Sequence, residues 1–306
     1  MTTLDDLNAA LAKYEAEHDA YYTQEQQQAT DIATYKSTIG SLQSQIAALQ
    51  TRIAALTQPT PTSATDPNHP AFGPIPAGYA LAQQDNFDSG KLDPTLWGVY
   101  GISSDWASTS HAGIWAARNV SVQQASDGAT GQYELQIKSW LMPDGKTRQG
   151  GALLFGNKAL QKAGIWQWRA RMEKGNGVEG VGLLWPDTDA NWPEYSEYDP
   201  WECSDGQRQH VKSNYHLGSP GDTKAFDSYD LPVLDYTQWH DFSFVITPSY
   251  LAFSVDNIER NRNTTRLYLG HARRMTFQND YLVPFDPTVT SCIWHVDNMR
   301  YLAPAA

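Results

Sequence analysis

The sequence predicts an all-β sandwich carried on a long α-helical coiled coil. Three observations lead there: an unbroken heptad pattern over the first 57 residues, a dense run of prolines after it, and short alternating runs rich in aromatic residues beyond that. All eleven tryptophans lie at or after Trp97, so the 306-residue chain is compositionally two objects.

The heptad pattern comes first in the chain. With Leu4 at position a, the a series runs Leu4, Leu11, His18, Glu25, Ile32, Ile39, Ile46 and Ile53, and the d series runs Leu7, Tyr14, Tyr21, Gln28, Tyr35, Leu42, Leu49 and Leu56. Alternating three- and four-residue spacing keeps one apolar seam facing a partner helix and imposes a left-handed supercoil. Eight heptads of helix extend roughly 80 Å at about 1.5 Å per residue, so residues 1–57 are expected to form an oligomerising stalk. Ile at a with Leu at d favours a parallel dimer, but the weakly charged flanks (Ala10, Ala29, Thr38, Gln43, Gln45, Gln50) leave dimer and trimer both open.

The grid stops in the stretch from residue 58 to residue 79, which carries Pro59, Pro61, Pro67, Pro70, Pro74 and Pro76. Proline at this density cannot continue a helix and makes an extended, semi-rigid linker. From residue 80 to residue 303 the pattern becomes QYELQIKSW, GIWQWRARME, GVGLLW, HDFSFVI and SCIWHVDNMRYL, separated by Gly, Asn, Asp and Pro. Alternation with β-branched and aromatic residues reads as half-buried antiparallel strands packed as a sandwich.

Composition narrows the partners. The formal net charge is −12 and the pI about 5.0, which argues against binding a nucleic-acid phosphate backbone. No run of eighteen apolar residues occurs, so membrane insertion is not expected. The acidic start MTTLDDLNAA reads as neither a signal nor a transit peptide. Two cysteines, Cys203 and Cys292, exclude a disulfide scaffold and a multi-cysteine zinc module, while their own pairing stays open.

The chemistry-bearing stretch is WPEYSEYDPWE, from Trp192 to Glu202. Residues two apart on a strand share a face, so Glu197 and Asp199 point the same way. Glu202 lies at an odd offset and joins them only if a β-bulge accommodates one extra residue. The outer Cα atoms are then roughly 13 Å apart, and two glutamates leaning together can close to about 5 to 5.5 Å, the separation a retaining glycosidase uses. Three carboxyl groups on one face cannot all ionise cheaply, so a proton is expected to stay near neutral pH, as a general acid requires. The bare E-x-D-x-x-E spacing suits an acidic edge strand or a cation site equally well.

Surrounding residues favour the first reading. The span from residue 82 to residue 302 resembles glycoside hydrolase family 16, the laminarinase- and lichenase-like jelly rolls of the concanavalin A-like class. The matches fall in order: QDNFDSGKLDPTLWGVY, RNVSVQQ through YELQIKS, GALLFGNKALQKAGIWQWRARME, GVGLLWP, WPEYSEYDPWE, SNYHLG, QWHDFSFVITPSYLAFSVDN and WHVDNMRYL. The resemblance implies Glu197 as nucleophile, Glu202 as general acid and base, and Asp199 as a tuner of the nucleophile through a shared hydrogen bond. His216 would sit beside the carboxylates, and Trp185, Trp192 and, more weakly, Trp115 would line the sugar cleft. Trp97, Trp166, Trp168, Trp239 and Trp294 are expected in the core. No cofactor is implied, although a structural calcium is, with Asp85 and Asp297 its nearest candidates. Two positions depart from the family pattern: Pro200 replaces an aliphatic residue, and Ser196 replaces the glycine before the nucleophile.

Two functions follow as expectations. One is a retaining endo-glycosidase of the β-glucanase or galactanase kind, acting on a β-linked polysaccharide. The other is an adhesin-like carbohydrate-binding structural protein that keeps the cleft without the catalysis. The stalk, the proline-rich neck and a sugar-active head also resemble a bacteriophage minor tail or other virion surface protein. That implies assembly in a host cytoplasm, contacts with other virion proteins and exposure after lysis; a cytoplasmic or otherwise exported enzyme is the alternative setting.

Overall fold

The structure, a computed structural model, describes residues 3–15, scattered positions between 17 and 46, residues 72–101, and residues 106–305 apart from 108–113, 127, 146, 156–159, 188–191, 193–195, 217–225, 266, 268–269 and 283–285. The chain divides into two compact units, Met1–Ser63 and Ala64–Ala306. The division falls inside the proline-rich stretch.

In the first unit, residues 4–15 are helical, and so is each described position up to residue 46. Thr3 and Asp6 cap the helix reciprocally: the Thr3 amide donates to Asp6 Oδ2 at 2.9 Å and the Asp6 amide to Thr3 Oγ1 at 3.2 Å. Each satisfies a backbone donor that the first helical turn leaves free. The described seam residues Leu4, Leu7, Leu11, Tyr14, His18, Ile32, Tyr35, Ile39, Leu42 and Ile46 are all exposed. The remaining seam positions, Tyr21, Glu25, Gln28, Leu49, Ile53 and Leu56, lie outside the described residues, as does the linker up to residue 71. Among the described residues, no helix is long and apolar enough to cross a membrane.

The second unit is an all-β sandwich of the jelly-roll kind. Its strands are β1 (Tyr79–Asp85), β2 (Trp97–Val99), β3 (Trp106–Ala107), β4 (Ile114–Trp115), β5 (Val120–Gln124) and β6 (Tyr133–Leu141). They continue as β7 (Arg148–Phe155), β8 (Gly164–Met172), β9 (Val178–Pro186), β10 (Glu197–Cys203), β11 (Lys212–His216) and β12 (Phe226–Asp230). The last are β13 (His240–Ile246), β14 (Leu251–Val255), β15 (Ile258–Asn263), β16 (Arg273–Tyr281) and β17 (Ser291–Pro304).

One layer runs β15, β14, β13, β8, β17, and the far edge of β17 is shared by β6 and β1. The other runs β12, β11, β10, β9, β16, β7, β2. Strand β7 joins the layers, pairing at its start with β6 and further on with β16. Alternation decides what each strand buries. On β8, Trp166 and Trp168 face the interior and pair in register with Phe244 and Phe242 of β13. From the opposite layer, Trp201 meets Phe242 edge-on at 4.7 Å and stacks on Trp294 at 6.0 Å.

Trp97, Trp166, Trp168 and Trp294 are buried as expected. Trp239 departs from that expectation. It lies in the turn before β13, half-buried, beneath the guanidinium groups of Arg169 and Arg171 at 5.7 and 5.4 Å from its ring. The stacked cations keep that ring at the surface. Cys203 and Cys292 are buried free thiols, both beside the fully buried Arg208 guanidinium.

Candidate active site

Strand β10 lies inside its layer, flanked by β9 and β11, and it carries the expected bulge. Asp199 pairs with Asn214 and Glu202 with Lys212, a one-residue shift in register; the same shift appears against β9, where Tyr198 pairs with Leu184 and Trp201 with Gly182. Pro200 sits in the shift, where its missing amide leaves no ladder donor unpaired. The bulge turns Tyr198, Trp201 and Cys203 into the core. Glu197, Asp199 and Glu202 therefore share the opposite face.

Each carboxyl group is held. Trp192 Nε1 donates to Glu197 Oε2 at 2.6 Å. His216, in register opposite Glu197, places Nε2 3.0 Å from Asp199 Oδ2. Its ring lies 5.7 Å from that of Trp192. Asn214 Nδ2 donates to Glu202 Oε2. Ligand atoms of Glu197, Asp199 and His216 lie within 4.8 Å of one another, the one such group of three among the described residues.

Burial dominates the electrostatics. It pushes Glu197 well above the usual carboxyl range; the Asp199 charge adds to the effect, and His216 with the Trp192 bond offsets part of it. Asp199 is driven the same way by burial and by Glu202. Burial also raises Glu202, against Asn214, His216 and Lys212. Burial and mutual repulsion thus favour the protonated forms of the trio over those of exposed carboxyl groups.

The aromatic candidates separate. Because Tyr198 pairs with Leu184, Trp185 lies beside Glu197 on the same face, half-buried. Trp192 is half-buried and bonded to Glu197. Trp115 is 8% exposed; its indole N–H donates to Asp280 Oδ1 and its ring rests 5.5 Å from Tyr100, so it pins β4 to β16.

Several residues here escape a local reading of the sequence. Glu179 of β9 pairs in register with Asp280 of β16. Burial, Glu202 and Asp280 push Glu179 up to about 8, and burial pushes Asp280 to about 7 against the Trp115 bond. Glu179 was legible, because it lies an even six residues from Trp185 on one strand. Asn214 and Asp280 arrive from partner strands, which local spacing does not reveal. Beyond Glu202 a cavity of about 180 Å³ opens, lined by Glu202, Ser204, Asp205, His210, Lys212 and Asp230.

The calcium candidates are engaged by protein donors. Asp85 accepts from the Phe87 amide at 2.8 Å and from Trp97 Nε1 at 2.7 Å. Asp297 accepts from the Thr130 amide and hydroxyl and the Gly131 amide, with Arg169 Nε 3.7 Å away. Both oxygens of each carboxylate carry protein donors, and Asp297 also faces the Arg169 guanidinium.

No family model matches the chain, and no curated protein matches it. Solved structures do share the fold. A family 16 endo-glucanase from Bacteroides ovatus is 17% identical, with a TM-score of 0.59 over 72% of this chain and 99% of that one. The laminarinase catalytic domain from Thermotoga maritima is 18% identical, with a TM-score of 0.59 over 74% and 99%. The laminarinase from Rhodothermus marinus is 18% identical, with a TM-score of 0.61 over 74% and 98%. At these identities the likeness is one of fold, and it covers nearly the whole of each of those domains.

Proposed function

We propose that the Ala64–Ala306 unit is a retaining endo-glycosidase acting on a β-linked polysaccharide. The observation that carries the reading is the bulge of β10, which sets Glu197, Asp199 and Glu202 on one face, Glu197 and Glu202 each accepting a hydrogen bond and Asp199 facing His216 at 3.0 Å. The fold shared with laminarinases and a family 16 endo-glucanase supports it.

A carboxylate oxygen of Glu197 attacks the anomeric carbon while the Glu202 carboxyl gives its proton to the glycosidic oxygen. The carbon–oxygen bond to the leaving sugar breaks and a covalent glycosyl-enzyme forms. Glu202, now ionised, takes a proton from water; the water attacks the anomeric carbon and Glu197 is released as carboxylate. Asp199 holds the shared proton and His216 lies across from it, so Glu197 can ionise for attack. Trp185 and Trp192 offer ring faces to the sugar. The leaving sugar departs on the Glu202 side, toward the cavity of about 180 Å³.

The heptad seam, its exposed Leu, Ile and Tyr side chains and the proline-rich neck support self-association of the first unit, as dimer or trimer, displaying several heads at once. This arrangement suits a virion surface component that binds or degrades host glycan.

Release of reducing sugar from a panel of β-glucans, galactans and xyloglucan tests the reading. Hydrolysis of at least one by the full chain, lost in both Glu197→Gln and Glu202→Gln, supports it. Glycan binding without product from any of them favours the carbohydrate-binding alternative. The proximity of Glu197, Asp199 and His216 also suits a cation; activity that a chelator abolishes and a divalent ion restores would favour that role for them.

A further inference from the structure

We propose that Arg273 is the positioning residue for Glu197, holding the Ser196 carbonyl on one side of the nucleophile and the Tyr198 ring on the other from beneath the sheet. The inference rests on the assignment of Glu197 above. It starts from Ser196, which is fully buried and has a φ of +61°, in the left-handed region that non-glycine residues rarely adopt. Backbone in that region persists only where its surroundings over-determine it.

Arg273 supplies that constraint. Its guanidinium is fully buried; Nε donates to the Ser196 carbonyl at 2.9 Å and Nη1 to the His271 carbonyl at 2.9 Å. The same group stacks over Tyr198, 4.4 Å from the ring centroid, and Tyr198 is anchored through its hydroxyl to the Leu267 carbonyl at 2.7 Å. Arg273 is fixed in turn by paired 2.8 Å backbone bonds with Gln161. It therefore grips the residue before Glu197 and the residue after it.

Tyr198 belongs to the core, so the guanidinium approaches β10 from the side away from Glu197, Asp199 and Glu202. It touches no substrate. Its contribution is the direction in which the Glu197 carboxylate leaves the strand, hence the attack geometry and the reach to Trp192. A planar fork that donates along two directions while stacking on a ring is specific to arginine, and lysine reproduces only one of those contacts.

The full-length chain with Arg273→Met, Arg273→Lys or, as a remote buried control, Arg300→Met is compared by two measurements. The first is the NMR signal of the Trp192 indole N–H, assigned with Trp192→Phe. Both Arg273 variants are expected to move it upfield as its bond to Glu197 loosens, while Arg300→Met leaves it in place. The second is the rate of covalent labelling by an activated 2-deoxy-2-fluoro glycoside of the preferred glycan, read by intact mass. Arg273→Met is expected to slow it about tenfold at saturating reagent, with the half-saturating reagent concentration little changed, and Arg273→Lys by less. Folded Arg273 variants with a wild-type indole signal would overturn the assignment, as would wild-type labelling. If the wild type itself neither hydrolyses nor labels, the glycosidase reading falls, and the indole signal alone decides the role of Arg273.

Discussion

The indole nitrogen of Trp192 lies 2.6 Å from Glu197 Oε2, donating a hydrogen bond to the carboxyl group assigned as nucleophile. A donor aimed at a carboxylate favours its charged form, and here it works against burial and against the Asp199 charge. Glu197 must be ionised to attack.

Trp192→Phe is therefore expected to raise the Glu197 pKa further. The acidic limb of the kcat/KM profile shifts to higher pH, and kcat falls about tenfold, the loss of a charge-assisted bond of roughly 1.5–3 kcal/mol being partly offset by relaxation. A pH–rate series on the preferred glycan checks this; an unmoved acidic limb would show that the bond does not tune the nucleophile.

Ser196→Gly is expected to stabilise the fold. Left-handed backbone costs a non-glycine residue about 1–2 kcal/mol, and the added unfolded-state freedom of glycine returns roughly 0.5–1 kcal/mol of that. Denaturant unfolding of the full chain should show a net gain of about 0.5–1 kcal/mol, the difference of these two effects.

His295 supplies a pH-dependent contribution in the opposite layer. Its Nδ1 lies 2.6 Å from Glu134 Oε1 and its Nε2 3.6 Å from Glu173 Oε1. Burial lowers the His295 pKa, but the bonds to Glu134 and Glu173 outweigh it and leave it above the ordinary 6.5. Burial raises Glu134, yet bonds from His295, Gln136 and Ser126 bring it from 4.5 to about 2. The histidine contribution is complete below pH 6.5 and is lost as pH rises through the higher folded value. The Glu134 contribution is complete above pH 4.5 and is lost as pH falls toward 2. The stability difference between wild type and His295→Gln should peak between pH 4.5 and 6.5 and shrink on either side; a flat difference would contradict the assignment.

The exposed seam of the first unit predicts self-association. Sedimentation equilibrium of the full chain at micromolar concentration should give two or three times 34.1 kDa. A particle of 34.1 kDa would refute the stalk.

The strand faces and the bulge were legible in the sequence because parity is local. Glu202 is out of phase with Glu197, so the three share a face only with an extra residue between Asp199 and Glu202, and the register shift falls there, at Pro200. The place of His216 was legible through the family resemblance. Tertiary pairings were not: Arg273 meets Ser196 across 77 residues and Trp115 meets Asp280 across 165. Such contacts depend on register between distant strands, which no spacing within one strand encodes. The same limit applies to the surroundings of Asp85 and Asp297. The amides and the arginine that engage these carboxylates come from turns and neighbouring strands.

The central claim is that Glu197 forms a covalent bond to the sugar and that Glu202 assists both steps. Proton NMR of the anomeric signal during the first minutes of hydrolysis tests it most directly. Retention predicts that the β-anomer of the new reducing end appears first and only later mutarotates, with no new end formed by Glu197→Gln. An α-anomer appearing first, or undiminished hydrolysis by that variant, would contradict it.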